Sequence, residues 1–143
     1  MRVLELALRE VRKRQRFVAS FSVRTPGPDF SVSVDRFERG GEVEVFLAKE
    51  AKPGKPDECG NVATVQVGRP CSGMVGEADA AANLLRLTVP RVCLKRPEWV
   101  RVGARSQAIT KPYPSDTWGR RTDIPKNNPL VNPLGPRVHA AAP

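Results

Sequence analysis

The sequence predicts an all-β protein: an antiparallel β-sandwich of immunoglobulin-like architecture, with about six to eight short strands and a Pro-rich extended C-terminal arm. Three observations predict it. Apolar and polar residues alternate with period two, as in Phe17, Ala19, Phe21 and Val23 against Val18, Ser20, Ser22 and Arg24. Gly and Pro, 11 and 14 of the 143 residues, interrupt the chain too often for a helical bundle. Finally, no crossover-length helical pattern lies between the alternating stretches, so the strands must pair mainly antiparallel, each with one apolar face that needs a covering layer.

The opening stretch reads both ways. Leu4, Leu6 and Leu8 alternate as a strand, while Leu4, Leu8 and Val11 share a helical face. The strand reading is adopted because the next stretch of chain is plainly strand. Residues 17–24 form the first clear strand, and Pro26-Gly27-Pro28-Asp29 is a turn. Phe30, Val32 and Val34 alternate with Ser31, Ser33 and Asp35. A hairpin at Gly40-Gly41 then leads to Val43, Val45 and Leu47.

Lys52 to Gly60 reads as loop and Val62 to Val67 as a strand closed by Gly68-Arg69-Pro70. Residues 72–82 read as a loop with at most one helical turn. Leu85, Leu87 and Val89 make the next strand, stopped by Pro90, and Trp99 to Ala104 the last. The sandwich is expected over residues 1–110, and residues 111–143, punctuated by proline, as a basic extension.

Charge is distributed unevenly. The net charge is +9, and residues 91–143 hold 10 Lys/Arg against 3 Asp/Glu. Arg91, Lys95, Arg96, Arg101, Arg105, Arg120 and Arg121 are therefore the candidate contacts for an acidic protein face or an anionic cell-envelope polymer, with nucleic acid as the alternative. A second patch, Arg12, Lys13, Arg14 and Arg16, would serve a nucleic-acid-binding or phage-assembly protein as an electrostatic arm. Its plainer reading is a solvated hairpin turn. Trp99 is expected in the core, and Tyr113 and Trp118 as exposed anchors on the arm.

Catalysis finds little material. The single histidine, His139, lies near the end of the chain, which removes a Ser-His or Cys-His couple. The acidic pairs Asp57/Glu58 and Glu77/Asp79 fall in expected loops with nothing to position them as glycosidase carboxylates. There is no Gly-rich phosphate loop and no Cys-x-x-Cys, so neither a cofactor nor a metal is expected. The reading is a non-enzymatic binding or structural module.

Three cysteines bear on compartment. Cys71 and Cys93 each follow a Pro-containing strand edge, which points to a bridge between them and leaves Cys59 over; three reduced thiols in a cytosolic protein are the alternative. Glu5, Arg9 and Glu10 break up any signal-peptide core, so the opening reads as a cytosolic start or as a mature terminus. No apolar run approaches the roughly 18 residues of a membrane helix.

The stretch Leu87-Thr88-Val89-Pro90-Arg91-Val92-Cys93-Leu94, continued by Pro97-Glu98-Trp99-Val100-Arg101-Val102-Gly103, resembles the signature of an uncharacterised β-sandwich domain of secreted actinobacterial proteins. The ending Leu134-Gly135-Pro136-Arg137-Val138 resembles that family's close. The resemblance implies a sandwich fold, a disulfide between the cysteines at positions 71 and 93, and a secreted or cell-envelope location; the nucleic-acid or phage-assembly reading would instead place the protein in the cytoplasm or virion. It implies no particular activity.

Overall fold

Ten strands form among the residues described by the computed structural model, which are 2–7, 12, 15–38, 40–50, 55–60, 66–108, 117–118 and 134–140. In chain order they are β1 (Arg2–Ala7), β2 (Phe17–Arg24), β3 (Phe30–Arg36), β4 (Glu44–Glu50), β5 (Gln66–Gly68), β6 (Val75–Asp79), β7 (Leu84–Val89), β8 (Trp99–Ala108), β9 (Thr117–Trp118) and β10 (Val138–His139). All pairings are antiparallel. The larger sheet runs β10-β8-β2-β3-β4-β5, with β9 also on β8, and the smaller one runs β1-β7-β6.

Period two decides which residues meet between the layers. Phe17, Ala19, Phe21 and Val23 of β2, Phe30, Val32 and Val34 of β3, and Leu47 of β4 are buried, and they pack with Leu85, Leu87 and Val89 of β7. The all-β antiparallel sandwich expected from the alternation is therefore present. At β6 the layers approach too closely for a side chain: a Cβ on Gly76 would lie 2.8 Å from Val45 Cγ2 and 3.0 Å from Val43 Cγ2. Glycine is required there by space, not by dihedral angle.

The turns obey their sequence signals. Gly40 takes φ 73° in the β3–β4 hairpin, where Gly41 N–H donates to the Glu38 carbonyl. Between β2 and β3, the Thr25 hydroxyl donates to the Pro28 carbonyl at 2.8 Å and accepts from Gly27 N–H at 3.0 Å.

Four expectations need correction. Residues 72–82 are not a loop, because Val75–Asp79 pairs along β7 as β6. The strand number exceeds eight, the excess coming from β6 and from the two-residue strands β9 and β10. The basic residues between β1 and β2 do not join a hairpin, because the two strands belong to different sheets; Arg12 N–H donates to Asn83 Oδ1 at 3.0 Å. Trp99 is half-buried and outside the core, because Val100, Val102 and Ala104 take the inward positions of β8.

Lys13, Arg14, residues 61–65 of the strand expected at 62–67, Tyr113, Arg120 and Arg121 lie outside the described residues. Within the stretch 111–143, the described β9 and β10 both pair with β8.

Candidate functional site

The described basic residues of the last third lie along one bend and one strand, β8, with its paired arm. Proline at position 90 ends β7, and Arg91–Leu94 coils into a single 3-10 turn. Cys93 N–H donates to the Pro90 carbonyl at 2.9 Å, Lys95 N–H to Val92 at 3.1 Å and Arg96 N–H to Arg91 at 3.0 Å. Lys95 and Arg96 leave the turn in left-handed conformations, φ 62° and 52°. For residues with a Cβ such geometry costs about 1–2 kcal/mol each.

Two devices hold this bend. The Cys71–Cys93 disulfide joins it to the loop entering β6, with Cα atoms 5.8 Å apart. Arg91 closes it from the other side, its Nε donating to the Pro97 carbonyl at 3.0 Å and an Nη to Arg96 at 3.4 Å. Cys93 and Leu94 are buried, whereas Lys95 and Arg96 are exposed. The outcome is a fixed platform that presents two cationic side chains to solvent.

Beside it, the C-terminal arm lies along the outer edge of β8. Val138 and His139 pair with Val100 and Trp99. Gly135 N–H donates to the Val102 carbonyl and Ala140 N–H to the Glu98 carbonyl, both at 2.9 Å. Arg101 reaches the same segment, Nε to the Gly135 carbonyl at 2.8 Å and an Nη to Leu134 at 3.3 Å. Arg137 stacks on the Trp99 ring at 4.4 Å.

Of the seven basic residues expected on the binding surface, the five described ones divide by role. Lys95 and Arg96 are presented outward, Arg91 shapes the bend, and Arg101 is turned toward the arm. Arg105, half-buried, stands opposite Ser20 on β2. Arg137, part of the same C-terminal excess of cations, is fixed by its stack on Trp99. Nothing in the Leu-Gly-Pro-Arg-Val ending signals that contact, since its partner lies 38 residues away in the chain.

A second feature lies at the other end of the strands. An open groove of about 880 Å³ runs between the β3–β4 hairpin and β6, lined by Glu42, Glu77, Asp79, Arg36 and Arg86 among others. The carboxylates have structural work. Glu77 pairs with Arg86 at 3.9 Å, and Asp79 Oδ1 accepts from Ala81 and Ala82 N–H at 2.9 Å. Arg36 is buried over the Phe17 ring. Glu77 and Asp79 therefore sit on a strand and its turn, not in a free loop. Asp57 and Glu58 are exposed, Asp57 Oδ1 accepting from Cys59 N–H. Cys59 itself is an exposed free thiol.

Asp35 is the one described group whose pKa is clearly displaced. Burial raises it above the usual carboxylate range, opposed by the Ser33 hydroxyl, which donates to Oδ1 at 2.7 Å. A raised folded-state pKa means the native protein holds its proton to higher pH than the unfolded chain does. The stability this group contributes is present below its unfolded pKa and is lost as pH rises through the folded value. Asp35→Asn is accordingly expected to raise the urea midpoint at pH 7. The difference from wild type should shrink to nothing as pH is lowered below the carboxylate range; an equal difference at all pH values would contradict this assignment.

Among the described residues no cluster of three or more His, Cys, Asp or Glu could hold a metal ion, and no helix is long and apolar enough to cross a membrane. No family model matches the chain, and no curated protein or solved structure matches it.

Proposed function

We propose that the protein is a non-enzymatic binding or structural module of an oxidising, extracytoplasmic setting, whose basic C-terminal third contacts an acidic partner or surface. The observation that carries this reading is the bend at Lys95 and Arg96. Two neighbouring left-handed residues with side chains lower stability, yet here they are stapled by the disulfide and tied by Arg91. The effect is to hold two cations outward. An anionic polymer meeting this face encounters charges whose ordering cost is already met.

The excess of cations in residues 91–143 supplies the longer-range field, which speeds encounter with an anionic surface and is weakened by salt. The disulfide, whose Cys93 is buried and Cys71 half-buried, supports an oxidising compartment, where such bonds persist. The resemblance to secreted actinobacterial sandwich domains leads to the same place.

The test is binding to heparin and to polyglutamate across a salt series, with duplex DNA as a third probe. Wild type is expected to bind the two polyanions at low salt. Lys95→Glu with Arg96→Glu should weaken binding about tenfold and reduce the slope of log K against log salt by about 2. No binding to any probe, or a double variant that binds as wild type does, overturns the proposal. A duplex-DNA affinity far above that for heparin transfers the reading to nucleic-acid recognition.

A further inference from the structure

We infer that the outer edge of β8 is a strand-exchange site, able to take the C-terminal arm of a second copy of this chain in place of its own. The argument starts from the edge. β8 is the longest strand among the described residues, Trp99–Ala108, and one side of it is engaged by β2 from Arg101 to Ala108. Its outer side would present a long row of unpaired backbone groups, which proteins cover to prevent edge-to-edge association. The arm covers it.

How the arm holds on is the second point. β10 is two residues long, and among the described residues the arm's attachments include Gly135 N–H on Val102, Ala140 N–H on Glu98, the Arg101 fork on two arm carbonyls, and Arg137 on Trp99. None of residues 134–140 is fully buried. Removing the arm therefore opens no cavity in the core. Every one of these contacts is formed identically by the arm of another molecule, because donor and acceptor sequences are the same.

Reach is sufficient. Fifteen residues separate Trp118 from Leu134, a contour of up to about 50 Å, against a length of about 33 Å for β8. The opposite side of the sandwich is less suited as acceptor. β5 is only three residues long, and β6 carries Glu77 and Asp79. Exchange brings two basic faces toward each other, so it is favoured by rising salt, the reverse of the dependence expected for polyanion binding. The two effects are thus separable.

Complementation between two full-length variants tests it. A donor-defective chain, Arg137→Ala with Val138→Pro, loses its own arm contacts but keeps the acceptor edge. An acceptor-defective chain, Trp99→Ala with Arg101→Ala, keeps a normal arm and loses the anchors for it. Each alone is expected to be monomeric by sedimentation velocity, and an equimolar mixture at high salt should give a species of twice the monomer mass. As a second measurement, a fluorescent peptide of residues 132–143 should bind the donor-defective chain at least tenfold more tightly than wild type, whose site is filled. It should not bind the acceptor-defective chain. A mixture that stays monomeric, together with equal peptide binding by all three proteins, overturns the inference and leaves the polyanion reading untouched.

Discussion

Phe21→Ala is expected to lower the unfolding free energy by about 3–5 kcal/mol, read as a fall in the urea midpoint at unchanged slope. Phe21 lies near the middle of the larger sheet, opposite Val32 on β3 and Ala104 on β8, and is 2% exposed. Leu85 and Leu87 of the smaller sheet belong to the same buried cluster. Truncation removes an aromatic ring from between two hydrogen-bonded layers. Neither layer can collapse into the gap without breaking its ladder, so most of the cavity cost remains. Phe46 supplies the control. It occupies the other face of the same sheet, opposite Ser33, and is 50% exposed. Phe46→Ala should change stability by no more than about 1 kcal/mol. Equal losses for the two variants would mean that the small sheet does not seal the face assigned to it.

Cys71→Ser with Cys93→Ser is expected to cost about 3 kcal/mol, the chain-entropy value for a closed loop of this size. The bridge spans 22 residues and encloses the whole β6–β7 hairpin. Without it the unfolded chain gains freedom, while the folded chain keeps its β-ladder. Cys93 is 3% exposed, so in native conditions the bond should resist reductant, and alkylation should label one thiol, Cys59. The same variant should raise amide exchange at Lys95 and Arg96, whose strained backbone the bridge helps to hold. Loss of stability with unchanged exchange there would separate the staple from the bend.

The strands with a strong two-residue period were legible: β2, β3, β4, β7 and β8 each announce an apolar face through alternation. β6 was not, because Val75-Gly-Glu-Ala-Asp79 has a glycine at an inward position, where alternation leads one to expect bulk. That glycine is there because β4 comes too close for a side chain, a fact invisible without the second sheet. β9 and β10 have only two residues each and no period to detect; they exist because β8 offers an edge. Trp99 departs from expectation for a related reason. Its size suggests the core, while the alternation of Val100 and Val102 assigns it to the other face. The disulfide was legible from proline-marked strand ends. Of the basic set, the charge was plain but the roles were not: among the described members Arg91 and Arg101 serve the bend and the arm, while Lys95 and Arg96 are exposed on the bend.

The sequence by itself determined that this chain forms β-strands, where most of them start and stop, which of their faces are apolar, and that positive charge accumulates toward the C-terminus. Those properties are local: dihedral preference, side-chain alternation and proline stops act within a few residues. Only the tertiary structure decided that β1 leaves β2 for the other sheet, that the arm closes the edge of β8, and that Lys95 and Arg96 take left-handed geometry. Each of these depends on groups far apart in the chain, where the favourable contact must outweigh the entropy of bringing them together, and no short window of sequence contains both partners.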